Sequence, residues 1–207
     1  MGLVKRKAIQ PAEAAKPKQE QSCMGLAACL EDADPRTRRH AARDMLHCPH
    51  AVGVLASRLN REPDTAVREV ILTTLVRLND PSAAGRMADC LRSEDAALRN
   101  EVIEAIGLLA CDVSDVLRSL LADPDPDIRI FAVNILDSRR QPDVESWLIE
   151  VIERNAHLNV CATAVDVLCE AGSEAAVDPL LRLKDRFRSE AFIQFAANRA
   201  LKSIRGA

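Results

Sequence analysis

The chain has 207 residues, 48% of them apolar, 29% charged and only 2% aromatic, with a net charge of −3. No apolar run reaches the ~18–20 residues that span a bilayer as a helix. The acidic balance argues against a binder driven by phosphate neutralisation, and four Phe, one Trp and no Tyr leave few platforms for stacking bases.

A composition rich in Ala, Leu, Asp, Glu and Arg predicts an all-helical chain. The first segment, residues 1–22, carries five Lys or Arg against two Glu. It is Pro, Ala, Lys and Gln rich, which predicts a disordered basic tail followed by a folded body over residues 23–207. No apolar stretch follows Lys5-Arg6-Lys7, so no secretory signal is expected, and Arg6 stands where a myristoylation motif wants Ser or Thr. Seven cysteines, an odd number without a CxxC, point to free thiols in a cytoplasmic protein.

Beyond the tail the chain repeats. Asp34-Pro35 leads to Arg38, Glu62-Pro63 to Arg68, Glu94-Asp95 to Arg99, and Asp125-Pro126 to Arg129. Val160 and then Gln194 take the Arg position further on, giving spacings of 30, 31, 30, 31 and 34 residues. A fixed period of this size means stacked supersecondary units rather than one functional loop. Each unit predicts two helices. The first carries an apolar pair four apart: Leu26/Leu30, Leu55/Leu59, Met87/Leu91, Leu117/Leu121 and Leu148/Ile152. The second has an apolar face three, four, seven and eight residues after the Arg, as at Ile71, Leu72, Leu75 and Val76. Asp and Pro before these helices suit N-cap and first-turn positions. Neither helix can bury its stripe alone, so the units must stack.

Little in the chain points to catalysis. There is no Gly-rich phosphate loop, no GxSxG and no HExxH. The best metal candidate is in unit one. His40, Asp44 and His47 share one helix face, with Cys48 and His50 just beyond, a donor set suited to zinc or another transition metal. Cys29 and Cys90 occupy one register of their first helices and are expected to act as small hydrophobes.

The stretches DPRTRRHAA, DPDIRIFAV and AGSEAAVDPLLRL resemble the HEAT-like repeats named after phycobilisome lyases, over about residues 24–205. That resemblance implies an all-α solenoid of about six two-helix repeats. It implies that Arg38, Arg68, Arg99 and Arg129 form a structural ladder bridging neighbouring units, weakening where Val160 and Gln194 intervene. It also implies a bacterial-type setting and a role as a protein-binding scaffold or adaptor, with no cofactor. Bilin lyase or cofactor-chaperone activity is the alternative, and a metal- or redox-responsive regulator using the unit-one cluster is a third reading.

In such a fold the second helices line the concave side. Outward positions there are expected one, two and five residues after the Arg register. They are polar in units one to three and turn apolar later, where Ile130, Phe131, Asn134, Cys161, Val165 and Phe195 fall, with Asn159 nearby. These residues are the expected contact surface for a partner helix or peptide. Neither nucleic acid binding nor membrane insertion is expected.

Overall fold

A computed structural model describes residues 16–139 and 143–206. Among them the secondary structure is all helical. The helices are α1 (Lys16–Cys29), α2 (Pro35–Asp44), α3 (Ala51–Leu59), α4 (Thr65–Leu78), α5 (Pro81–Ala88), α6 (Ala96–Leu108), α7 (Ser114–Leu121), α8 (Pro126–Ser138), α9 (Val144–Arg154), α10 (Leu158–Ala171), α11 (Val177–Arg186) and α12 (Ala191–Arg205). Short 3₁₀ turns follow α2 and α5 and precede α11. The fold class is an all-α solenoid of six helix pairs, each with an odd-numbered first helix and an even-numbered second.

Local chemistry sets the helix starts. The Asp34 carboxylate accepts from the Arg36 N–H, Asp80 from Ser82, Asp95 from Ala97 and Leu98, and Asp125 from Asp127. In α2, α5 and α8 a Pro follows the cap, where its missing N–H costs nothing. These three Asp-Pro pairs are therefore helix starts, not ligand loops.

The chain divides into two compact units, Met1–Thr74 and Leu75–Ala207. In the first, Leu30, Met45, Leu55, Leu59, Val67 and Ile71 are buried together with the charged pair Arg38 and Glu62. In the second, α6, α8, α10 and α12 pack one on the next, and each also packs on its own first helix. The approach of α6 to α8 is close. A side chain at Gly107 would meet the Ser138 Cβ at 2.5 Å, which is why glycine stands there.

Three expectations change. Helix α1 begins at Lys16, so the expected boundary after residue 22 falls inside a helix, and residues 1–15 of the expected tail lie outside the described residues. The thiols are not all free: Cys23 of α1 and Cys48 form a disulfide, their Cα atoms 5.6 Å apart. Packing of α1 on α2 and the turn after it brings these distant positions together. Such bonds persist in oxidising compartments, so the cysteines no longer argue for a cytoplasmic setting. Cys29 is exposed rather than a core residue, whereas Cys90 is buried.

Candidate functional site

The repeated Arg serves the loop between the two helices of a repeat. That loop carries backbone carbonyls with no helical partner. Arg38 Nη1 donates to the carbonyls of Asp32 and Ala33, at 2.9 and 3.0 Å. Arg99 donates to Ser93 O, and Arg129 to Asp123 O and Pro124 O. The residue six before the Arg plays a second part. Its side chain accepts the N–H of the N-cap residue, as Asp32 does for Asp34, Ser93 for Asp95 and Asp123 for Asp125. The recurring bond at Arg38, Arg99 and Arg129 therefore closes a loop within one repeat, a role the expected ladder between repeats did not include. Arg38 does both. Its Nε and Nη2 also form a bidentate pair with Glu62 of the next repeat, at 2.9 and 2.7 Å. Arg99 reaches the next repeat by lying over the Phe131 ring, 5.6 Å from its centroid.

Counting from the N-cap identifies the rung unambiguously: it is always the fourth residue after the cap. In α10 the cap is His157, so the rung is Cys161, not Val160. Cys161 Sγ contacts Asn155 O, six residues back, while Asn155 Oδ1 accepts the His157 N–H. The repeat motif is complete with a thiol in place of the guanidinium. The missing donors come from the next repeat. Arg186 at the end of α11 reaches the carbonyls of Ile152, Glu153 and Asn155. In α12, Gln194 keeps the role itself, donating to Lys184 O and Phe187 O. The loops of repeats five and six are thus capped by other donors, contrary to the expected weakening.

This one-residue slip overturns part of the expected partner surface. Cys161 and Val165 are both 0% exposed and belong to the core. The outward face of α10 is instead Asn159, Thr163, Asp166 and Glu170. On α8, Ile130, Phe131 and Asn134 are half-buried, and on α12 Phe195 is 65% exposed. Phe192, one helical turn before it and not foreseen, is 57% exposed. The Arg199–Asp166 ion pair, at 2.6 Å, joins the outer faces of α12 and α10. The signal for Phe192 was present as an apolar i, i+3 pair, but it lay outside the register used to choose positions.

The unit-one metal cluster also fails. His40, Asp44, His47 and His50 are exposed, and His50 has a φ of 63°, in the left-handed region. Cys48 is committed to Cys23 and supplies no thiolate. Among the described residues no group of three or more His, Cys, Asp or Glu is placed to hold a metal ion. Two buried thiols are poor nucleophiles. Burial pushes Cys90 up to about 11, and burial also raises Cys161 against the pull of Arg186.

Residues 114–202 match the family model for HEAT repeats. Among solved structures, the chain is similar to the archaeal HEAT-like repeats protein from Thermococcus onnurineus NA1, at 18% identity over 92% of this chain and 90% of that one, with a TM-score of 0.47. It is similar to an engineered protein at 18% identity over 89% and 99%, TM-score 0.45. It is similar to the complex of CpcE and CpcF of phycocyanin lyase from Nostoc sp. PCC7120, at 16% identity over 98% and 99%, TM-score 0.36. No curated protein matches the chain. Among the described residues no helix is long and apolar enough to cross a membrane. HEAT repeats generally mediate protein interactions.

Proposed function

We propose, from the HEAT repeats that residues 114–202 carry, that this chain is a non-catalytic scaffold or adaptor holding a partner protein against the second helices of its C-terminal unit. One observation carries the reading. The chain has only four Phe, and two of them, Phe192 and Phe195, stand exposed one turn apart on α12. Exposing such side chains forgoes roughly 1.5–3 kcal/mol each relative to burial, and an exposed aromatic pair marks a contact site. Asn159, Thr163 and Asp166 on α10, and Ile130, Phe131 and Asn134 on α8, continue the surface with polar and half-buried apolar groups. A partner helix or extended peptide laid across these second helices would bury the Phe pair and meet the amides.

The test is the double replacement Phe192→Glu with Phe195→Glu. It is expected to abolish partner capture while leaving unfolding within about 0.5 kcal/mol, since neither side chain is core. Retained capture, or a loss of stability like that of a core residue, would refute the assignment.

A further inference from the structure

A second recessed surface lies on the first-helix side of the C-terminal unit. There α5 packs on α7 and α9 on α11, and the approach of α7 to α9 is looser. Between them is an open cleft of about 390 Å³, lined by Leu121, Val151, Trp147, Arg118, Glu150 and Arg154 among others. Its size falls in the roughly 300–1,000 Å³ range of ligand sites.

The floor is apolar, and the polar groups around it are unbalanced. Arg118 of α7 lies over the ring of Trp147 of α9, 4.7 Å from its centroid, so the cleft is spanned by a cation–π contact. The Arg118 guanidinium forms no ion pair and no hydrogen bond among the described residues. Asp112, an acid that feels its charge, is already bound to the Ser114 N–H. The indole N–H of Trp147 likewise has no acceptor among the described residues. The one acid lining the cleft, Glu150, is paired with Arg154 at 2.6 Å. Donors therefore exceed acceptors beside an apolar floor, and the complement is an apolar group with an anionic acceptor next to it.

We propose that the α7–α9 cleft binds a peptide segment of a partner that presents a Leu-like side chain beside a carboxylate, the side chain on Leu121 and Val151 and the carboxylate on Arg118. This site is on different helices from the Phe192–Phe195 face and stands or falls separately from it.

Trp147 is the only Trp in the chain, so its emission reports this cleft alone. The intact protein is titrated with an end-capped Asp-Leu-Leu-Asp-Leu peptide and with its Asn-for-Asp counterpart, with calorimetry on the same mixtures in case emission is silent. The acidic peptide is expected to bind saturably and the Asn peptide at least about tenfold more weakly, because a hydrogen bond to a charged group is lost. Arg118→Gln is expected to weaken the acidic peptide by about tenfold on the same grounds, with an unchanged far-UV spectrum. Glu150→Gln, which leaves the Arg118–Trp147 contact intact, is expected to bind it as well as the parent or better. No saturable binding by either readout, equal binding of the two peptides, undiminished binding by a folded Arg118→Gln protein, or weaker binding by Glu150→Gln would overturn the proposal.

Discussion

In the unit ending at Thr74, the polar side chains Arg38, Glu62, Arg68 and Thr74 are buried beside the apolar core. From Leu75 onward the one buried charged side chain among the described residues is Arg139, which donates to the carbonyls of Ile106 and Leu109 at the end of α6. Both units are made of the same helix pairs, and both must satisfy loop carbonyls. The N-terminal unit couples that task to a buried ion pair and a disulfide. The C-terminal unit does it with backbone acceptors and donors as different as Arg, Gln and Cys. The repeat therefore fixes a need, a donor facing the loop, and leaves open which side chain meets it.

The largest expected effect is in the N-terminal unit. Glu62→Ala leaves the Arg38 guanidinium buried without its counter-charge, and about 3–5 kcal/mol of stability should be lost in denaturant unfolding. The same pair predicts acid sensitivity. Burial would push the Glu62 carboxyl up, but Arg38 and Arg58 outweigh it and hold it below the usual value. The unfolded chain then takes up the proton first. The contribution is whole above the ordinary carboxylate value of about 4.3 and is lost as pH falls from there through the depressed folded value. Hydrogen exchange over α2 to α4 should quicken in that window more than over α8 to α12.

Reducing the Cys23–Cys48 bond comes next. The two cysteines are 25 positions apart, and the loop-entropy relation gives about 3.5 kcal/mol for a closure of this length. Addition of a dithiol should raise exchange in α1 and α2 and leave α8 to α12 unchanged. Arg186→Ala should cost about 1–3 kcal/mol in the C-terminal unit by stranding the carbonyls of Ile152 and Asn155. Cys161→Ser, which keeps a donor at the rung, should cost less than about 1.5 kcal/mol. If Cys161→Ser proved as harmful as Arg186→Ala, the thiol would be there for packing and not for the loop.

The fold was legible because periodic burial needs periodic apolar residues, and these recur at a nearly fixed interval from Leu26 to Leu201. Helix starts were legible too, since Asp followed by Pro caps and opens α2, α5 and α8. The slip at α10 was not, because an Arg register cannot be followed where the Arg is absent; the N-cap His157 carries the count, but His is not a strong cap signal. The face of α10 was therefore misplaced by one residue, enough to turn Cys161 and Val165 from surface to core. The disulfide was hidden for a different reason. Tertiary packing, not spacing, sets the distance between Cys23 and Cys48.

The central functional claim, that the exposed face of α12 seats a protein partner, is tested most directly by site-specific photo-crosslinking in cells. A benzophenone side chain at Phe195 is predicted to give a discrete adduct with another protein, and the same group at Arg36, exposed in the N-terminal unit, is predicted to give none. No adduct from Phe195, or the same adduct from both positions, would contradict the account.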